Sequence, residues 1–458
     1  MIDFYTRIMK VALGYKSNGE LAMQSRRQFI NKFFATTGAA VFLLKVDALA
    51  RAADAIEKFA PAVNPADLAS DEDFWTQIQS AFEIDRTLIN LNNGGVSPSP
   101  KIVADAMKKY LDYSNLAPSY YMWQHLEPKM ETVREKLAHT FGVDTEEIAI
   151  TRNASESLQI VQQGLNLKPG DEILTTTQDY PRMLTTFNQM ERRWGVKANK
   201  VKYPAPLMNR SDYVDALKSG ITPNTKVILI SHVCFLTGQI LPVGDVCRMA
   251  HERGIEVIVD GAHSFNHFPF KHSDLECDYF GTSLHKWTYA PIGTGMLYVK
   301  KDLIKNIWPL MAAPKEMDEN IRKFEEIGTH PAANHNAIAE ALAFNEMIGI
   351  DRKAARLRYL HKRWINRLKN YPNVNYLIDI DDESNWAGIV NFNISGVNMP
   401  KLNEYLLNKH RIYTVTIVFE DFHGIRVTPN VYTLLSDIDY FGDVLEKVAK
   451  GEVKEVLE

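Results

Sequence analysis

The stretch "IEVIVDGAHSFNHFPFKHSDLECDYFGTSLHKWTYAP", Ile255 to Pro291, decides the fold. "IEVIVD" is a short apolar, β-branched run of strand length, closed by Asp260 and Gly261. "CDYFGTS" (Cys277–Ser283) is a second such run, and "GTGMLYV" (Gly293–Val299) a third. Upstream, strand-like runs alternate with helical patterns. "EEIAITR" (Glu146–Arg152) precedes "NASESLQIVQQGLNL", which Pro169-Gly170 ends. "DEILTTT" (Asp171–Thr177) precedes a helix over Pro181–Trp194, and "TKVILISHV" (Thr225–Val233) one over Val243–Arg253. This alternation predicts an α/β fold with a mostly parallel sheet covered on both faces. Ligands of such sheets bind at the carboxyl ends of the strands.

Downstream the pattern changes. Residues 332–370 read as a long helical connection to a second lobe. "WAGIVNFNI", a helix near 400–409, "IYTVTIVF", "GIRVTPNVY" and a final helix make that lobe small and α+β. The expected organisation is a large domain over 87–330 and a small C-terminal domain over 331–458. An N-terminal arm over 51–86 leads into the strand-like "TLINLNNGG", Thr87–Gly95.

With 458 residues the chain is long enough for this plan. A formal charge of −4 gives no reason to expect nucleic-acid binding. The three cysteines, Cys234, Cys247 and Cys277, have no CxxC spacing and do not read as a disulfide framework. No uninterrupted apolar run reaches the ~18 residues of a membrane span. The N-terminus does carry a location signal. In "SRRQFINKFFATTGAAVFLLKVDALARAADA" paired arginines, Arg26 and Arg27, precede an apolar stretch and a small-x-small site at Ala48-Leu49-Ala50. Residues 1–50 resemble a bacterial twin-arginine signal peptide, which implies the Tat translocase as a partner and a periplasmic protein without a membrane span after cleavage.

The candidate chemistry lies at strand ends. Asp260 closes a buried strand, where it serves equally as a turn aspartate or as a poised charge beside a glycine that admits a ligand. Lys286 follows 26 positions later, after the next strand, as the only fixed positive charge in "TSLHKWTYAP". A lysine and an aspartate at neighbouring strand ends suit pyridoxal phosphate: the amine links to the cofactor, and the carboxylate keeps the ring nitrogen protonated. Aromatic neighbours and burial lower the lysine pKa, and Trp287 and Tyr289 are expected as apolar walls. "TRNASES" opens a helix at a strand end, so Ala154 and Ser155 offer a phosphate site, though the same residues also read as a plain N-cap. Ser283 and His285 are further phosphate donors. Tyr180 in "TTTQDYP" would stack on the ring. His263, His267 and His272 cluster without a matching Cys or acidic pattern, so no metal is expected. Glu325-Glu326 reads as a solvated helix face.

"VDGAHSFNHFPF", "GTSLHKWTYAPIGTGMLYV", "TRNASES" and "GIRVTPNVYTLLSDID" together resemble the class V aminotransferases, nearest the isopenicillin N epimerase-like proteins. The resemblance covers most of residues 87–445. It implies the pyridoxal-phosphate transferase fold, aspartate aminotransferase fold type I, in a homodimer. It implies Lys286 as cofactor anchor, Asp260 on the ring nitrogen, His263 near the ring's phenolic oxygen and Tyr180 stacked. Ala154, Ser155, Ser283 and His285 would hold the phosphate, and Thr329 the phosphate of the partner subunit. Arg426 would take the substrate carboxylate, and the segments holding Asn93 and Trp123 would line the substrate entrance. The implied activity is transamination or epimerisation at the α-carbon of an amino acid or peptide-like amine. A C–S or C–N lyase and a non-catalytic binding protein are the alternatives. "VFEDFHGIR" holds no cysteine before Arg426, which argues against a cysteine desulfurase. Phe235 stands where many relatives place an asparagine, which favours a larger or modified substrate.

Overall fold

The computed structural model describes residues 64–419 and 422–457. The export signal expected in residues 1–50, and the arm before residue 64, lie outside the described residues.

A seven-stranded sheet forms the large unit. In chain order its strands are β2 (Ile148–Thr151), β3 (Glu172–Thr176), β4 (Lys197–Val201), β5 (Thr225–Ser231), β6 (Glu256–Asp260), β7 (Tyr279–Ser283) and β8 (Gly295–Val299). Their spatial order is β2-β8-β7-β6-β5-β3-β4. Only β8 runs antiparallel to its neighbours. Alternate side chains enter different cores, as the period of two demands. Ile228, Ile230, Val257, Val259, Phe280, Met296 and Tyr298 enter one cluster. Val227, Leu229, Ile258, Tyr279, Leu297 and Val299 enter the cluster on the other face. Burial on both faces explains the unbroken apolar runs, each fully buried aliphatic contributing about 2 kcal/mol. The sequence reading missed β4. "KANKV" sits at the sheet edge with two exposed lysines, so it shows no apolar run.

The second unit is a four-stranded antiparallel sheet in the order β12-β13-β10-β9. Its strands are β9 (Val374–Tyr376), β10 (Val390–Ile394), β12 (Val415–Phe419) and β13 (Phe422–Val427). The connection to it is three helices, Ala332–Asn336, Ile338–Ile348 and Ile350–Leu368. The strand that follows the arm, β1 (Ile89–Asn90), pairs in parallel with β11 (Ile412–Tyr413). Asn92 then bridges Thr428. That pairing carries Gly94 and Gly95 to the edge of the large sheet, where the cleft opens. The helix Glu72–Gln79 is capped by Asp71, whose side chain accepts from Phe74 N–H. It buries Phe74, Trp75 and Ile78 against Tyr289, Phe344 and Tyr432.

Candidate active site

The carboxyl ends of β2, β3, β5, β6 and β7 share one edge, and a cleft of about 480 Å3 opens there. β2 leads through Asn153 to Ala154 and Ser155, and β3 leads to Tyr180 and Arg182. β5 ends at Ser231, β6 at Asp260 and β7 at Ser283, two residues before His285 and Lys286. Arg426 reaches the cleft from β13 of the other sheet. The cleft thus gathers every strand end that the sequence marked, as well as one residue of the small lobe.

The Lys286 amine lies 3.4 Å from His263 Nε2. Burial pulls its pKa down to about 8, against the pull of Asp260. Burial pushes Asp260 up to about 6, while the Ala262 N–H, 2.9 Å from its Oδ1, holds it down. At pH 7 Asp260 is therefore an anion and Lys286 is close to its titration point. Burial drives His263 well below the ordinary histidine value and His285 down to about 4, so both rings are neutral. Arg426, lowered by burial to about 10, stays charged.

Three buried nitrogens around this cleft have no partner: His263 Nδ1, His285 Nδ1 and Arg426 Nε. Buried polar atoms seldom stay unpaired, so these three are available to a polar ligand in the cleft. Arg426 is braced in place, its Nη1 donating to the Phe235 carbonyl at 3.0 Å and its Nη2 to Asn92 Oδ1 at 3.4 Å. The Tyr180 ring meets Phe235 edge-on at 5.3 Å. Beneath Tyr180, the buried Asp179 carboxylate accepts from Ser231 N–H and hydroxyl and from Thr175 and Thr176. That knot fixes the loop presenting Tyr180. The Ala154 N–H donates to Ser283 Oγ at 2.9 Å, joining the two halves of the expected phosphate site. Asn153 also caps the helix through Glu156 N–H, so "NASES" serves as cap and cleft wall at once.

Several expectations need correction. Asn93 is fully buried and does not line the cleft. Its amide bonds Asn90, Thr428 and Tyr432, and Asn92 is the neighbour that contacts Arg426. Trp123 is 52% exposed on the segment Met122–Leu126, outside this chain's cleft. Thr329, expected at the phosphate of a partner subunit, is exposed and outside this chain's own cleft, which does not contradict that expectation. Trp287 and Tyr289 are not walls of the cleft. Trp287 stacks on His267 at 3.7 Å, and Tyr289 packs edge-on against Phe82. Gly261 leaves room not for a ligand but for Phe280, whose ring a Cβ would meet at 1.9 Å. Glu325 is buried against Arg134 and the Ile150 N–H, not solvated. The three clustered histidines part company. His267 bonds the His263 carbonyl and Gly388 N–H, and His272 the Cys277 carbonyl. Arg182, an exposed guanidinium at the cleft, was not singled out, because nothing local separates it from a surface arginine.

These groups fit pyridoxal phosphate. Ala154, Ser155, Ser283 and His285 form one polar wall at a helix N-terminus, suited to a dianion. Asp260 supplies the anion for a ring nitrogen, and Lys286 the amine.

Comparison with known proteins agrees. The family model described as aminotransferase class-V matches residues 89–416. Over 389 residues, 81% of this chain and 98% of the relative, the sequence is 25% identical to the isopenicillin N epimerase of Streptomyces clavuligerus. Over 338 residues, 70% of this chain and 78% of the relative, it is 28% identical to the cysteine desulfurase of Haloferax volcanii. A solved complex of the cystine C–S lyase C-DES with its product cysteine persulfide covers 79% of this chain and 97% of its own, at 25% identity and TM-score 0.71. A C-DES variant with glycine covalently linked to its pyridoxal phosphate covers 79% and 96%, at 25% identity and TM-score 0.70. Epimerases and desulfurases both stand among the relatives, so likeness alone does not exclude a desulfurase.

Proposed function

The chain belongs to the class V aminotransferase family, whose cofactor is pyridoxal phosphate, and on that premise we propose that it moves the α-proton of an amino acid or amine-bearing peptide, in transamination or epimerisation. The observation that carries this reading is the convergence of Lys286, His263, Asp260 and Arg426 in one cleft. When bound, the cofactor supplies an aldehyde for the amine and a ring that draws off an electron pair. The chain's own residues do the rest. Arg426 orients the substrate carboxylate with guanidinium donors that Phe235 and Asn92 already aim. The Lys286 amine, whose pKa burial lowers to about 8, would take the α-proton and return it. Asp260 would hold the positive charge on the ring nitrogen, and Tyr180 would cover the ring and exclude water.

A C–S lyase is the second reading, favoured by the likeness to the cystine lyase. A desulfurase is disfavoured by the thiol inventory. All three cysteines are buried, and none lines the cleft. The test is a half-reaction screen of amino acids and amine-bearing peptides. Release of a keto product with the amino group retained on the cofactor means transamination, solvent exchange of the α-proton without a keto product means epimerisation, and release of sulfide or persulfide together with ammonia and a keto acid means lyase chemistry. If no amine changes the cofactor spectrum, the enzyme reading fails.

Two wider proposals accompany this one. The chain acts as a homodimer, supported by the exposed apolar Trp123, Ile292 and Trp308. Asn336 bonds the Leu126 carbonyl and Asn334 that of Ile292, so Trp123, Ile292 and the helix after Thr329 lie near one another. Ile292→Glu should lower the mass seen by sedimentation, and a variant that keeps the dimer mass would refute the face. The chain is also exported to the periplasm by the Tat translocase, as its arginine pair indicates. A reporter fused to residues 1–60 should lose export when Arg26 and Arg27 become lysine.

A further inference from the structure

Lys353 lies on the helix Ile350–Leu368 and is 1% exposed. Among the described residues no carboxylate pairs with it. A buried ammonium without an acid is costly, so the fold must use it for something. Its amine donates to the Trp287 carbonyl and, at 2.8 Å, to Asn345 Oδ1, and it sits 3.9 Å from the Tyr289 ring centre. Asn345 Nδ2 in turn donates to the Thr288 carbonyl at 2.7 Å. The next contact belongs to Ala290, whose N–H bonds the Leu284 carbonyl at 3.0 Å. Between them Tyr289 holds a left-handed backbone, φ 63°, which a bulky residue adopts only under outside constraint. The peptides directly after Lys286 are therefore fixed one after another, and Lys353 fixes the first. Burial pulls Lys353 well below the ordinary lysine value, yet a neutral amine keeps two N–H donors, so both oxygen contacts survive in either state.

We propose that Lys353 is a positioning residue for Lys286: with Asn345 it locks the loop 287–289 so that the Lys286 amine is held toward the cleft. The contact also ties Lys286 to the helix that joins the two units. This inference rests on the reading of Lys286 as the cofactor anchor.

The test uses the full chain, stripped of cofactor and mixed with pyridoxal phosphate. Borohydride quenches the mixture at intervals, and the modified peptide is counted by mass. Wild type should be labelled at Lys286; label on another lysine would overturn the anchor reading itself. Lys353→Met, close to isosteric, should bind the cofactor with unchanged stoichiometry by equilibrium dialysis. Its Lys286 label should build up about tenfold more slowly, because small misplacements of a reacting group cost that much or more. Labelling at the wild-type rate, with only a lower melting temperature, would overturn the proposal and leave Lys353 a core brace. If Lys353→Met is insoluble, Asn345→Leu removes the donor to Thr288 and is judged by the same two outcomes.

Discussion

Lys286 and Lys353 stand at either side of one loop, and both are held out of bulk water in different ways. Lys286 opens to the cleft, faces His263, and feels the Asp260 carboxylate. Lys353 is sealed beneath the loop, bonded to one backbone carbonyl and one amide, with no acid. Burial depresses both amines, but only Lys286 has room around it for another molecule. The difference separates reactivity from support. A depressed lysine is a nucleophile only where a substrate can reach it, and elsewhere the same desolvation purchases rigidity.

The largest expected effect follows from removing the reactive member. Lys286→Ala should lower turnover by about 10⁴-fold or more while the apoprotein keeps its melting temperature. Retained turnover would erase the distinction between the two lysines. A second charge sharpens it by being buried with a partner. Arg134 bonds Glu325 at 2.5 and 2.9 Å, deep beneath β2. Glu325→Gln should cost about 3 kcal/mol in denaturant unfolding, since it removes the buried anion and leaves Arg134 only the half-exposed Glu131 and the Ile148 carbonyl, and should leave activity per folded molecule unchanged. A cost below about 1 kcal/mol would mean that water reaches the pair. The smallest effect is in pH. With Lys286 near 8, the rate of cofactor attachment should rise about tenfold per pH unit below 8 and level off above it. With Asp260 near 6, cofactor affinity should fall as pH drops through 6 and the carboxylate gains its proton. A rate still climbing past pH 10 would show an ordinary, solvated lysine.

What could be read from the sequence depended on how local the cause was. Strands β5, β6 and β7 are apolar runs ended by a polar residue, so the fold and the strand-end residues Asp260, Ser283 and Lys286 were legible together. β4 was not, because an edge strand needs no apolar run. In "LNNGG" two adjacent asparagines compete, and the bridge from Asn92 to Thr428, far along the chain, decides which one meets Arg426. Glu325 was misread for a similar reason: Arg134 lies 191 positions away. "IDRKAARLRYLHKRW" gives Lys353 the look of a surface lysine, because the loop that buries it comes from the 287–289 segment. Trp287 and Tyr289 belong to an aromatic stretch beside the cleft, but the stack on His267 takes Trp287 and the packing against Phe82 takes Tyr289 away from it.

The central claim is that the cleft lysine, and not its sealed neighbour, carries the cofactor. Borohydride reduction of the purified, cofactor-loaded protein, followed by peptide mass mapping, tests it most directly. The account predicts a single pyridoxyl-phosphate adduct on Lys286 and none on Lys353. An adduct on any other lysine, or none on a yellow protein, would contradict it.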